Sequence, residues 1–367
     1  YTARTFPREY WNRIAFVNEP TCHLVHQCVL EPEGSGFKER DGRNLLASAD
    51  AWCAPVFSQV GPDGQVWVAD WYDFIIQHNP LPKGFKMGKG NAYITPLREH
   101  KLARIYRVTY GSKAEGYPNL LTGDPGALIA TLGHPNLFWR LTAQRLLVER
   151  EQVDVVSALN RILFQERKLD AIGSDPQALH ALWTLQGLQA VSVSTITPAL
   201  RHAAPSVRRA AITMMPRNGQ FRDLVLSSGA LGDSSPSVQL AALLALIEMP
   251  PTEAVGPALA FALKKLEGSR DHWIPSAFSL AAIHNAASFL DALVASLPPA
   301  EQGKVGEPGA KKMTVNWIPN ASCEEVAGTN PKGWHRRTGA GEPKPEHETG
   351  LGGRGKQCQR GAAEEVG

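Results

Sequence analysis

The sequence predicts a multidomain chain in which a β-rich part is followed by an α-helical part and then by a tail without a core. Short runs rich in Val, Ile and Phe, separated by turn formers, fill residues 1–112. Segments rich in Ala and Leu repeat one design through residues 123–297, and residues 113–122 are predicted to link the two parts. Residues 298–367 are rich in Gly, Lys, Arg and Glu, which predicts a disordered tail. The abrupt loss of the repeat there also fits a shifted reading frame.

Length and composition restrict the classes of protein to consider. A chain of 367 residues with 43% hydrophobic residues is globular and too long for one ordinary core. The net charge of +3 is small, so nothing demands a nucleic-acid partner or an acidic membrane. No apolar run approaches the roughly 20 residues of a transmembrane helix. The chain begins at Tyr1 in an ordered-looking segment, and we therefore expect a fragment of a longer protein.

The β-rich part has its clearest unit at the turn Gly61-Pro62-Asp63-Gly64 and the strand that follows it. Proline presets φ in such a turn, and Gly64 supplies a positive φ. On the following strand Val66, Val68 and Asp70 share one face. Further strands are predicted at residues 12–18, 23–32, 54–60 and 103–110, with turns at "EPEGSG" and "RDGRN". Such an order of short strands is typical of a sandwich or a propeller, and about 110 residues would make two or three propeller blades.

The helical part repeats a proline at the helix start, then an apolar residue followed by Arg or Gln, then a small Ala three residues later. The copies contain Arg140 and Ala143, Arg208 and Ala211, and Gln239 and Ala242. This design predicts an α-solenoid whose spacing resembles HEAT repeats. The arginines are expected to bond across repeats or to helix ends.

The candidate site lies just past the predicted strand that ends at Asp70. Asp70, Trp71, Tyr72 and His78 follow each other closely there. Asp70 has two interpretations: it caps the turn through backbone N–H groups, or it serves as a ligand or wall of a central cavity. His78 is a hydrogen-bonded structural residue, an acid/base or a metal ligand. Trp71 and Tyr72 are either packing residues or stacking platforms for a cofactor.

Other patterns give weaker signals. In "CHLVHQC", His26 shares a strand face with Cys22 and Cys28, but no second ligand pair is near in sequence, so a plain strand is favoured and no metal site is predicted. The five cysteines lack CxxC and CxxCH spacing, so no haem is attached in this chain. The Gly- and Lys-rich loop around Lys86 lacks a phosphate-loop ending.

The stretches "NRIAFVNEPTCHLVHQCVLEPEGSGF", "NLLASADAW", "VGPDGQVWVADWYDFIIQHNP" and "RIYRV", followed by HEAT-like helices, resemble one bacterial family. They are similar to the large membrane-bound dehydrogenases of Planctomycetes, which join a glucose/sorbosone-dehydrogenase-like β-propeller to HEAT repeats. The resemblance covers about residues 10–297. It departs from the family pattern at Cys22, where a turn glycine is expected, and at "EHKLARIYRV", where a His-Gly pair is expected before the strand.

The resemblance implies a periplasmic or extracellular protein and two function classes. The first is a piece of a quinone- or haem-linked oxidoreductase acting on a sugar or alcohol, inactive by itself. Pyrroloquinoline quinone or calcium would bind in the full-length parent near Asp70, Trp71, Tyr72 and His78, with Asp70 and His78 as catalytic candidates; haem c would come only with a module absent here. The second is a non-catalytic protein whose propeller and HEAT surfaces bind a polysaccharide or a protein partner.

Overall fold

The computed structural model of the chain falls into two compact units, Tyr1–Pro250 and Pro251–Gly367. It describes residues 1–76, 83–84, 86, 95, 101–111, 116–120, 123–165, 169–266, 269, 271–296, 326–327 and 330–331. Strands precede helices, as predicted. The predicted disordered or frame-shifted tail lies almost wholly outside the described residues. Its described part is the two-residue antiparallel pair of Val326–Ala327 with Asn330–Pro331.

The β-rich part holds two three-stranded antiparallel sheets in consecutive order. The strands of the first sheet are β1 (Ile14–Glu19), β2 (Leu24–Glu33) and β3 (Gly36–Ala47). The strands of the second are β4 (Pro55–Val60), β5 (Val66–Asp70) and β6 (Arg104–Val108). Both sheets and the N-terminal segment contribute to one core, which contains Tyr1, Phe6, Ile14, Val25, Val66 and Val68. The alternation predicted for β5 is confirmed, because Val66, Val68 and Asp70 are all buried.

The prediction of a turn at "RDGRN", residues 40–44, is wrong, because these residues lie inside β3. A β-bulge explains why turn-forming residues fit inside a strand. His26 pairs with Asn44 and Cys28 pairs with Asp41, so Gly42 and Arg43 together oppose Gln27. A Cβ on Gly42 would lie 2.3 Å from the Gln27 carbonyl oxygen, so only glycine fits there. The predicted turn at "EPEGSG" is confirmed, since Gly34 has φ of 59° between β2 and β3.

The turn before β5 fastens the β-rich part to the helices of the same unit. Asp63 is buried and accepts hydrogen bonds from Gln65 N and Trp67 Nε1, at 3.2 and 3.0 Å, and from Arg107 Nε. The turn's outer carbonyls accept from the helical part: Asn136 Nδ2 donates to Gly61 O and the indole of Trp139 donates to Pro62 O. The "GPDG" motif is therefore a docking element of the fold.

Eleven helices lie in the described residues. Those of the first unit are α1 (Pro125–Thr131), α2 (Leu137–Glu149), α3 (Val156–Phe164), α4 (Pro176–Gly187), α5 (Val193–Ala199), α6 (Pro205–Met214), α7 (Gly219–Ser228) and α8 (Pro236–Glu248). Those of the second are α9 (Val255–Leu266), α10 (Ile274–His284) and α11 (Ala286–Ala295). In the first unit α2, α4, α6 and α8 contact each other in series, and their predicted alanines Ala143, Ala211 and Ala242 are fully buried.

The loops before α2, α6 and α8 share one hydrogen-bond design. The side chain of a His or Asp residue accepts a hydrogen bond from the backbone N–H two residues later. The backbone carbonyl oxygen of the same His or Asp accepts a second bond from the side chain six residues later. The pairs are His134 with Arg140, His202 with Arg208, and Asp233 with Gln239. Arg208 also binds both carboxylate oxygens of Asp233, at 2.7 and 2.8 Å. The structural role predicted for Arg140 and Arg208 is confirmed.

Among the described residues, no single helix has both the length and the hydropathy to cross a membrane. The pair α10 and α11 passes these two criteria only when its helices are taken together, and they meet at an angle of 101°.

Candidate functional site

Asp70 ends β5 at the corner where β4, β5 and β6 meet. Its side chain is 1% exposed. Oδ1 accepts hydrogen bonds from the backbone N–H groups of Ala54 and Tyr72, at 2.6 and 2.9 Å, and Oδ2 accepts one from the Tyr106 hydroxyl at 2.9 Å. Both carboxylate oxygens are thus engaged by protein donors. These contacts match the capping interpretation of Asp70, because two of its three donors are backbone N–H groups.

A buried thiol lies beside this carboxylate. Cys53 is 2% exposed. Burial and, after it, the negative charge of Asp70 raise the pKa of Cys53. A raised pKa keeps the thiol protonated and unreactive near neutral pH. Burial and the neighbouring carboxylate thus both disfavour the thiolate form of Cys53.

Tyr72 leaves the corner in an unusual backbone conformation. Its φ is 52°, in the left-handed region that bulky residues rarely adopt. The Asp70 carboxylate holds its N–H, and its hydroxyl donates to Asp50 Oδ2 at 2.9 Å. Strained positions that the surroundings hold in this way cluster at functional sites. Trp71, the preceding residue, is half-buried, and its backbone N–H donates to Ala54 O at 2.9 Å.

Three aromatic rings gather where Tyr72 turns outward. Trp52 lies 6.0 Å from Tyr72 and 5.9 Å from Phe74, measured between ring centroids. The Arg104 guanidinium stacks on the Tyr72 ring at 3.4 Å, and its Nη1 lies 3.8 Å from Asp50 Oδ2. We call Asp50, Trp52, Tyr72, Phe74 and Arg104 the aromatic corner. Phe74 is 41% exposed, and the side chains of Asp50 and Arg104 are 40% and 45% exposed.

Charge at the aromatic corner is fixed by neighbouring hydrogen bonds. The Trp52 backbone N–H and then the Tyr72 hydroxyl lower the pKa of Asp50. The same bond to Asp50 raises the pKa of Tyr72, so this phenol stays protonated. At neutral pH the aromatic corner offers a carboxylate, a guanidinium and a phenol, held beside apolar ring faces. Such a set can hydrogen-bond hydroxyl groups and pack against C–H groups at once.

The structure unites part of the predicted site and adds residues to it. Asp70 and Tyr72 are joined directly, Trp71 lies between them, and His78 lies outside the described residues. Asp50, Trp52, Phe74, Arg104 and Tyr106 were not singled out from the sequence. The stretch "ADAW" carried a signal for two of them, an acid beside an aromatic residue ahead of a strand. Arg104 joins the site only through the register that pairs it with Asp70.

A family model described as a domain of unknown function, DUF7133, matches residues 1–112, which include all residues of the aromatic corner. Neither the curated proteins nor the solved structures contain a match to the chain.

Proposed function

We propose that the aromatic corner is a non-catalytic binding surface for a neutral polysaccharide. The observation that carries this proposal is the grouping of three aromatic rings beside the half-exposed Asp50–Arg104 pair, with Tyr72 and Phe74 6.0 and 5.9 Å from Trp52. The apolar face of a sugar ring packs on an aromatic ring, and its hydroxyl groups pair with carboxylate and guanidinium groups. The buried carboxylate at this corner, Asp70, is engaged by protein donors, so binding rather than catalysis suits the arrangement.

Affinity electrophoresis of the full chain in gels that contain soluble polysaccharides tests this proposal, followed by calorimetry with the best ligand. We expect Phe74→Ala to weaken binding at least about tenfold, as truncation of an anchoring aromatic does. Phe261→Ala is the matched control, because Phe261 is also an exposed phenylalanine but lies on α9. Equal binding by both variants and the wild type would refute the proposal.

A second candidate function follows from the resemblance to the membrane-bound dehydrogenases. In this candidate the chain is part of a longer parent protein that oxidises a sugar or alcohol. In it the two sheets would be blades of a propeller, the helices would be HEAT-like repeats, and the protein would be periplasmic or extracellular. The observation that favours this candidate is the Asp50 carboxylate, which is 40% exposed, accepts a hydrogen bond from the Tyr72 hydroxyl and lies beside the aromatic rings, within reach of the hydroxyl groups of a sugar substrate. The quinone or calcium would bind in the parent, and this chain alone would be inactive.

The two candidates differ in what the parent does with a bound sugar. We expect the chain alone to show no turnover with pyrroloquinoline quinone, calcium and an artificial acceptor. In the parent, Asp70→Asn and His78→Ala should lower turnover while the fold is retained. A parent without dehydrogenase activity that still binds polysaccharide would leave the binding proposal standing and remove the oxidoreductase one.

A further inference from the structure

The outer face of the first sheet carries a cluster of metal-binding residue types. On β2, Val25 and Gln27 are buried. Because successive residues of a strand face opposite sides, His26 and Cys28 point to the other face of the sheet. On β3, Asp41 pairs with Cys28 and Glu39 pairs with Leu30, which brings both carboxylates to the same outer face. Two adjacent strands thus place an imidazole, a thiol and two carboxylates together.

The distances within this cluster are short. One ligand atom each of His26, Cys28 and Glu39 lies within 4.8 Å of the other two. His26 Nε2 lies 3.4 Å from Asp41 Oδ1, and His26 Nδ1 lies 3.0 Å from Asn44 Oδ1. An imidazole that donates Nδ1–H to Asn44 keeps its lone pair on Nε2, the nitrogen nearer to Asp41. Histidine ligands of metals are commonly oriented by such a bond from the second ring nitrogen.

The β-bulge at Gly42 explains why the two strands match in this way. Without the extra residue opposite Gln27, one of the positions Asp41 and Asn44 would face the core instead of the outer face. Gly42 is the residue that the bulge requires, because a Cβ there would collide with the Gln27 carbonyl. The bulge therefore aims Asp41 and Asn44 at the same histidine, and bulges are common next to functional sites.

We propose that His26, Cys28 and Glu39, with Asp41 beside them, form a binding site for a divalent transition-metal ion of the zinc class. Nitrogen, thiolate and carboxylate ligands in combination favour zinc over calcium or magnesium, which take oxygen ligands. A tetrahedral zinc site separates its ligand atoms by about 3.3–3.8 Å, given bond lengths of about 2.0–2.3 Å. Because the ligand atoms lie at most 4.8 Å apart, closing to these separations needs side-chain shifts of no more than about 1–1.5 Å, and the exposed side chain of Glu39 can make them.

Binding exchanges a proton for the metal ion at the thiol. Cys28 binds a metal ion as the thiolate, because sulfur must lose its proton to become a ligand. The metal ion bonds to the Cys28 sulfur and the thiol proton passes to water. The charge of the metal ion then lies beside the carboxylates of Glu39 and Asp41. The stretch "CHLVHQC" alone does not reveal the site, since the carboxylates come from β3.

Titration of the reduced chain with cobalt(II), and then competition with zinc(II), tests this inference. A thiolate-to-cobalt charge-transfer band should appear with one equivalent of cobalt and disappear on addition of zinc. Cys28→Ser should abolish the band, whereas Cys22→Ser, which removes an exposed neighbouring thiol, should keep it. Metal affinity measured by calorimetry should fall about tenfold or more in Glu39→Gln and in His26→Ala.

The inference is wrong if the wild type gives no thiolate band at one equivalent, or if the band survives in Cys28→Ser and so arises from another cysteine. Circular dichroism checks that each variant is folded. Should Cys28→Ser fail to fold, the His26→Ala and Glu39→Gln affinities decide, and wild-type affinity in both would overturn the proposal.

Discussion

The loops before α2, α6 and α8 and the aromatic corner both hold polar side chains in fixed places, but they differ in repetition. The loops use one design three times, in which a side chain six residues later binds the loop carbonyl. The aromatic corner combines a left-handed Tyr72 and an Asp50–Arg104 pair, beside the buried Asp70, once among the described residues. The repeated bonds fasten each loop to the helix that follows it, whereas a single, strained and partly exposed group has no such architectural need.

This difference separates scaffold from site. If it is correct, changes in the repeated loops should lower the free energy of unfolding and leave ligand binding of the folded chain intact. Changes in the exposed part of the aromatic corner should do the reverse. A residue such as Tyr106 supports the aromatic corner through its bond to Asp70, and its removal should lower both the free energy of unfolding and the ligand affinity moderately.

Removing Arg208, the α6 residue that binds the loop before that helix, should have the largest effect on stability. Arg208 and Asp233 form a two-bond ion pair with side chains 13% and 12% exposed. Burial would raise the pKa of Asp233, but the bonds from Arg208 and the Ser235 N–H lower it overall. Arg208→Ala leaves this carboxylate without its cation, and we expect a loss of about 3 kcal/mol in urea unfolding. Arg209→Ala, one residue along the same helix, serves as control, and an equal loss there would contradict the account.

Acidification should cost the helical part nearly as much stability through His180. Burial and then the charge of Arg140 lower its pKa from 6.5 to about 4 in the folded state. The unfolded state therefore binds the proton more readily, and stability should fall as pH drops from about 6.5 to about 4 and level off below. The shift corresponds to about 3 kcal/mol. In His180→Gln this part of the pH dependence should vanish, as seen by comparing unfolding free energies at pH 7 and pH 4.5.

Tyr106→Phe should have an intermediate effect. The hydroxyl of Tyr106 is the donor to Asp70 Oδ2, so its removal leaves a buried carboxylate oxygen without that bond. We expect a loss of about 1–2 kcal/mol and a modest decrease in polysaccharide affinity. Tyr110→Phe, at an exposed tyrosine two residues past β6, should change neither quantity. If Tyr106→Phe equals this control, Asp70 does not organise the corner as described.

The fold was partly predictable because local patterns decide much of it. The alternation of Val66, Val68 and Asp70 located β5, and the proline-led helices located α6 and α8. β3 was missed because Asp41-Gly42-Arg43-Asn44 has the composition of a turn. Its strand conformation depends on the bulge opposite Gln27, a contact with another strand that no local pattern expresses.

The candidate site was predictable only where its residues are neighbours in sequence. Asp70 and Tyr72 stand two residues apart, and their hydrogen bond is local. Arg104 meets Tyr72 through the pairing of β5 with β6, and Asp50, which precedes β4, meets it through the pairing of β4 with β5. The grouping of His26 and Cys28 with Glu39 was not predicted for the same reason, because Glu39 lies on β3 and the other two residues lie on β2. Register between strands, and not residue type, decides both groupings.

The most direct test of the account measures unfolding free energy and polysaccharide affinity on the same two variants, Trp52→Ala and Arg208→Ala. Trp52 is the ring that contacts both other aromatics of the corner and is half-buried. We predict that Trp52→Ala loses at least about tenfold in affinity while its unfolding free energy changes by about 1 kcal/mol or less. Arg208→Ala should show the opposite pattern. Loss of stability without loss of affinity in Trp52→Ala would contradict the account, because the aromatic corner would then be part of the scaffold.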